Sequence, residues 1–193
     1  MTSQAPTREA RADLAQVAID WMARRGATVA EIAALVLDLQ KRYVPGLTLD
    51  ECVQSVEHVF AKREVQNAIF TGLTLDELAE QGVMPEPLLS MLQGDEPLYG
   101  IDEIMALSIT NIYGTIGLTN YGYLDKTKPG IIGRLNDDHP RVNTFIDDLV
   151  SAIAAAAAAR IAHNQGQRQP QPPDAPFPGA NSLPHAPKVD EDG

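Results

Sequence analysis

Six consecutive alanines, Ala154 to Ala159, sit inside the run "SAIAAAAAAR". Alanine has the strongest helix preference of any residue, so the run predicts a helix, drawn at 143–163. A helix with methyl side chains is thin, and whatever packs on it must come close. The rest of the chain has to supply partners for it. No window alternates apolar and polar residues with a period of two, so strands are not expected as those partners. The expected fold is all-α: one compact helical bundle.

Local signals divide the chain into helices. Leu14, Val17, Ala18, Trp21 and Met22 have the spacing of one buried helix face, within a helix at about 8–25. A Gly-x-Thr-x-x-Glu pattern then occurs three times, as "GATVAE" at 26–31 and "GLTLDE" at 46–51 and 72–77. In a capping box the Thr hydroxyl accepts from the backbone three residues on, and the Glu reaches back to the Thr amide. The three copies therefore predict helix starts, giving helices at 29–43, 49–70 and 75–81. The copies lie at unequal spacings and lose similarity after each start, which argues against a solenoid. A short helix is expected at 86–92, then a loop, "QGDEPLYG". Residues 101–118 are apolar nearly all round, the pattern of a central helix, with Gly114 and Gly117 allowing close approach of another backbone. A further helical stretch is expected at 121–135, and "NDDHPRVN" reads as a turn.

From 164 onward the composition changes. The segment holds half of the chain's 14 prolines and few large apolar residues, so it is expected to be a disordered tail. The organisation is then a flexible N-terminus at 1–7, a helical domain at 8–163 and a tail at 164–193.

Charge and cysteine content exclude several roles. A net charge of -11 opposes nucleic-acid binding, which needs a basic footprint, and opposes general adsorption to anionic lipid. The single cysteine, Cys52, lies in an apolar helical pattern and reads as core; one cysteine suits a reducing compartment. The N-terminus lacks the order of a signal peptide. No apolar segment reaches the ~20 residues that a spanning helix needs. The sequence is thus read as cytoplasmic, without a transmembrane segment. Peripheral membrane contact and homo-oligomerisation remain compatible with it.

Charged residues stand against apolar helix at four places: Asp102 and Glu103, Asp125 with Lys128, Asn136 with Asp137, and Asp147 with Asp148. Acids in a first helical turn are favoured by the helix dipole and need no function. Beside buried surface, however, they are expensive unless paired or bound to a cation. Pro129 follows Lys128. Either the helix ends before it, or the helix kinks and frees the carbonyl of Asp125. Position alone does not choose. The four histidines, His58, His139, His163 and His185, are scattered and are not expected to be ligands. Asn120, Tyr121 and Tyr123 precede the Asp125 motif and could line a pocket or belong to the core. "KREVQN" at 62–67 reads as a solvated helix face.

The segments "GIDEIMALS", "LDKTKPGIIGRLND" and "FIDDLVSAIAA" resemble, in order and spacing, the phosphatidylglycerophosphatase A family. That family looks like an acidic pair, then D-x-x-K-P, then a second acidic pair followed by small residues. "VQNAIFTGLTLDELAEQG" and "TNYGYLDKTKPG" resemble its soluble branch, which includes low-temperature requirement C-like proteins. The chain departs from the membrane members in having no spanning helix, and carries "GDEPLYG" where they have a His-containing stretch. The resemblance implies Mg2+-dependent hydrolysis of a lipid phosphomonoester, phosphatidylglycerophosphate or a relative. By position it implies Asp102, Glu103, Asp125 and Lys128 as catalytic, and Asp102, Glu103, Asp125, Asp147 and Asp148 as metal ligands. Oxygen-only ligands suit Mg2+, and Lys128 would act as a point charge on phosphate. The alternative from another class is a non-catalytic helical protein that binds metal for structure or regulation.

Overall fold

The structure is a computed structural model that describes residues 8–138 and 141–168. Among these residues it holds nine α-helices and one 3-10 turn, and no strand. In order these are α1 (Arg8–Arg24), α2 (Val29–Gln40), α3 (Leu49–Phe60), α4 (Arg63–Glu80) and α5 (Leu88–Gln93). Then come α6 (Ile101–Thr110), the 3-10 turn Asn111–Tyr113, α7 (Gly114–Thr127), α8 (Ile131–Asn136) and α9 (Ile146–Arg168). The expected flexible N-terminus at 1–7 and the expected tail at 169–193 lie outside the described residues; helix α9 itself runs five residues past the expected end at 163, into the segment expected as tail.

The alanine run builds the centre. Ala152 and Ala154 to Ala159 are all fully buried, and α9 packs against α2, α3, α4, α6, α7 and α8. A methyl-only surface lets several helices share one axis at short range. Residues 101–118, expected as one central helix, are instead divided among α6, the 3-10 turn and the start of α7, and one side of them faces outward although α6 and α7 both pack on α9. Ile101, Ile104, Ile112, Ile116 and Leu118 are all exposed. Side-chain size explains the exchange: the thin helix fits between its neighbours, whereas the bulkier isoleucines do not. The face expected on α1 is also narrower, since Ala18 and Met22 are buried but Leu14 and Val17 are exposed.

Two capping boxes form as expected. Thr28 pairs reciprocally with Glu31 at the start of α2, and Thr48 with Glu51 at the start of α3. The third does not form. Thr74 lies inside α4, where its hydroxyl donates to the Phe70 carbonyl at 2.6 Å. Glu77 instead accepts the Trp21 indole N–H. The identical hexapeptide is a loop and cap once and helix interior once. The difference is at glycine: Gly46 has φ +78, whereas Gly72 is helical and faces α9. A Cβ on Gly72 would lie 2.9 Å from Leu149 Cδ1 and 3.0 Å from Phe145 Cβ, so α4 continues through this point in close contact with α9.

The helix break comes earlier, between α3 and α4. Buried Gln66 donates its side-chain amide to the Phe60 carbonyl at 2.9 Å, satisfying the end of α3. The turn there lets Phe60 and Val65 both reach the core. Cys52 is fully buried, as expected, and desolvation followed by Glu51 pushes its thiol up to about 11. Gly114 has φ +70 and open space around it, so it serves a turn; Gly117 allows the close approach, a Cβ there meeting the Thr110 carbonyl oxygen at 2.9 Å.

Candidate active site

The first turn of α9 carries Asp147 and Asp148, and a buried carboxylate from another helix sets its position. Helix N-termini leave backbone N–H groups without partners. Asp76 of α4, fully buried, accepts from the amides of Phe145 at 3.1 Å and Ile146 at 3.2 Å. Thr144 donates to the Leu92 carbonyl at 2.8 Å, and Arg25 donates to the Val142 carbonyl at 2.6 Å. The segment entering α9 is therefore fixed on three sides. Burial raises the Asp76 carboxyl well above its ordinary value, opposed by its two backbone bonds and by Arg25.

The end of α7 supplies the cation. The helix stops at Thr127, and Lys128 takes a left-handed conformation, φ 43 and ψ 52, before Pro129. Of the two sequence readings, the helix that ends before proline is the one realised. A non-glycine residue in this region carries strain of ~1–3 kcal/mol. Lys128 is held there from both sides. Its Nζ donates to Asp147 Oδ2 at 2.8 Å and lies 3.2 Å from Asp125 Oδ1. A Cβ on Gly133 would lie 2.6 Å from the Lys128 carbonyl oxygen, so only glycine lets α8 lie against this turn.

These residues meet in one open pocket of about 260 Å³. Asp102 and Glu103 from α6, Asp125 and Lys128 from the end of α7, and Asp147 and Asp148 from α9 all line it. Every catalytic and metal residue named from sequence is present. Asn136, Asp137, His58 and His163 are not on its wall, and His139 and His185 lie outside the described residues. The loop before α6 adds Asp95, Glu96 and Tyr99 to the lining.

The pocket is short of positive charge. Burial raises the Asp148 carboxyl, and neighbouring Asp147 raises it further, to about 8. Its Oδ1 accepts from the Tyr121 hydroxyl at 3.1 Å. Burial and then Asp148 push that phenol upward. Burial likewise raises Asp147, although Lys128 opposes this, and burial raises Asp102. Burial alone would lower Lys128, but Asp147, then Asp148 and Asp125, hold it above its ordinary value. One ammonium group thus serves several carboxylates in a partly dry site. Protons or a further cation must balance the remainder.

The donor set is made of carboxylate oxygens, the chemistry of a hard cation such as Mg2+. Among the described residues, no three carboxylates are already gathered as a ligand set. Mg2+ commonly takes one or two carboxylates and completes its shell with water and substrate phosphate. The residues present therefore fit that ion without a preformed cage.

Sequence reading missed three residues here. Asp76 has no role in the cap read from "GLTLDE", which uses Thr74 and Glu77; its partners, at 145 and 146, are distant in sequence. Asp95 was hidden in a stretch read only as a loop. Tyr121 was noted without its partner; Asn120 and Tyr123 line a different pocket, beside α2.

Comparison with known proteins places the whole helical region among similar sequences and folds. The sequence model of the family described as phosphatidylglycerophosphatase A matches residues 15–163. The uncharacterized protein YutG of Bacillus subtilis is 60% identical over 143 residues, 74% of this chain and 86% of that protein. The crystal structure of the low temperature requirement C protein of Listeria monocytogenes is 56% identical with a TM-score of 0.77, covering 79% of this chain and 97% of that one. The crystal structure of ypjQ from Bacillus subtilis is 50% identical with a TM-score of 0.79, covering 82% and 99%.

Proposed function

We propose that this chain, which belongs to the phosphatidylglycerophosphatase A family, is a Mg2+-dependent phosphatase for phosphatidylglycerophosphate or a related phosphomonoester. One observation carries the reading. Acids from three separate segments, with Lys128 among them, line a single pocket.

One or two of Asp102, Glu103, Asp125, Asp147 and Asp148 would hold Mg2+, leaving the others free for other roles. When bound, the ion supplies charge neutralisation at the phosphoryl oxygens. Lys128 contributes a fixed positive charge for the phosphate, kept in place by Asp147 and Asp125. Asp125 is half-buried on the pocket wall and is assigned to orienting the attacking water. Tyr121 holds Asp148 in its orientation through the hydroxyl bond. No helix among the described residues is long and apolar enough to cross a membrane, so a lipid substrate would be met at a surface.

The test is phosphate release from phosphatidylglycerophosphate in detergent micelles, with and without Mg2+, for the natural chain and Asp125→Ala. Release that needs Mg2+ and is lost in the folded variant is the expected result. A Mg2+-induced rise in melting temperature without release from any lipid or soluble monoester would overturn it in favour of a metal-binding protein without catalysis.

A further inference from the structure

From Ile104 to Leu124 the chain runs 21 residues without a charged side chain, although its net charge is -11. Part of this stretch is surface. Ile101, Ile104, Ser108 and Ile112 recur at helical spacing along α6 and the 3-10 turn, so they form one outward stripe. Ala106 and Ile109, on the other side of α6, are buried. Ile104, near the middle of the exposed apolar set, is 62% exposed. Ile116 and Leu118, also exposed, follow in α7, which packs beside α6. The five apolar side chains together expose roughly 400 Å², the size at which an apolar patch marks an interaction surface. A stable interface covers about 800 Å² on each partner. Ser108, Asn111, Thr115 and Thr119, all exposed, extend the patch toward that area without placing a charge in it.

The two ends of the stripe carry opposite charge. Asp95, Glu96 and Glu103, all exposed, stand where it begins, on the rim of the acidic pocket. Lys128, the cation of that pocket, is already held by Asp125 and Asp147. The other end lies beside the start of α4, because α4 runs antiparallel to α6. A Cβ on Gly72 would meet Met105 Sδ at 3.3 Å, and Tyr113, eight residues beyond Met105, feels the charge of Glu64, eight residues before Gly72. Lys62 and Arg63 are exposed there and enter no ion pair among the described residues. Glu64 offsets one of these two charges, so the end remains basic.

A two-fold axis near Ser108 makes such a face complementary to itself. It sets α6 antiparallel to its copy, isoleucine against isoleucine, and brings the acidic end of each copy to the basic end of the other. With like ends together the same charges would repel. We propose that the face formed by α6, the 3-10 turn and the start of α7 binds a second copy of this chain in this two-fold arrangement. Lys62 and Arg63 of the partner subunit then stand beside Asp95, Glu96 and Glu103, at the rim of a pocket that is short of positive charge. A bilayer fits the face less well. The acids at one end oppose an anionic surface, and the basic residues are confined to the other end instead of surrounding the apolar patch.

Sedimentation equilibrium of the full chain over a concentration series, at low and high salt, tests the proposal without reference to catalysis. The expected species has twice the 20.9 kDa chain mass and dissociates more readily at high salt. Ile104→Glu puts a charge on the stripe and should weaken association by about a hundredfold, while Ile104→Ser, which adds none, should weaken it about tenfold. Both positions are exposed, so the circular dichroism of each variant should match that of the natural chain. Lys62→Glu with Arg63→Glu should weaken the dimer about tenfold, and adding Asp95→Lys with Glu96→Lys to the same chain should restore it. A monomer at every concentration, a dimer unchanged by Ile104→Glu, or a charge exchange that does not restore association each overturns the proposal. So does a monomer that binds phosphatidylglycerol vesicles and loses them with Ile104→Glu, which would give the face to a membrane.

Discussion

Asp148→Asn should stabilise the protein at alkaline pH while removing a residue of the candidate site. Asp148 is 4% exposed, and its carboxyl is raised from 3.8 to about 8, first by burial and then by Asp147. The folded state therefore holds this proton more tightly than the unfolded chain does. The contribution to stability is complete below about pH 4, declines as pH rises, and levels off above about pH 8. Four units at about 1.4 kcal/mol each set an upper limit of ~6 kcal/mol. The pocket is open to water on one side and Asp148 is coupled to Lys128, so roughly half of that, ~2–3 kcal/mol, is the expected penalty. Asparagine mimics the protonated acid in shape, and its amide oxygen can still accept from Tyr121. Urea and thermal unfolding in EDTA should show the two proteins alike near pH 4. At pH 8 the variant should melt about 5–10 °C higher. Mg2+ should then raise the natural protein's melting temperature more than the variant's, because only a ligand that prefers the folded state stabilises it. A variant that melts at or below the natural protein at pH 8 without divalent cation would refute the idea that this pocket is short of positive charge.

The two identical hexapeptides give a paired test. Thr48→Ala removes a formed cap and should cost ~1 kcal/mol, whereas Thr74→Ala removes only an exposed bond to the preceding turn and should stay within about 0.5 kcal/mol; urea midpoints compare them directly. Gly72→Ala should destabilise by ~1–3 kcal/mol in thermal unfolding, despite alanine's better helix preference, because the new methyl meets Leu149 and Phe145. A neutral or stabilising Gly72→Ala would mean that α4 and α9 are not in close contact at this point.

The helical class and part of the pocket, Asp102, Glu103, Asp125, Lys128, Asp147 and Asp148, were legible in the sequence, for different reasons. Helix class follows from periodicity and from local caps such as Thr28 and Thr48, whose partners lie three residues away. The family resemblance groups Asp102, Glu103, Asp125, Asp147 and Asp148 by their order along the chain, and the fold brings these five to one pocket, leaving Asp137 outside it. What was not legible depends on contacts between distant segments. "GLTLDE" at 72–77 carries the full local signal of a helix start, yet Gly72 is pressed on α9 and the helix continues. Residues 101–118 have the apolar content of a central helix, yet alanine's small volume puts α9 there instead. Counting apolar residues measures how much surface wants burial, but not which helix is narrow enough to be surrounded.

The same packing places the chemistry. A helix encircled by neighbours has its axis set by all of them, so its first turn can be aimed with little freedom. Close approach at Gly72 brings α4 against α9, and the next turn of α4 puts Asp76 on the buried amides of Phe145 and Ile146. Those amides begin the turn that carries Asp147 and Asp148. The positive end of the α9 dipole lies beside these acids and offsets part of their desolvation. Lys128 offsets a further part from the α7 side. Neither source brings Asp148 down to its ordinary range, so the folded site holds this proton more tightly than the unfolded chain does. A residue such as Asp76, to which the sequence reading gives no role, belongs to the site through the helix terminus it holds.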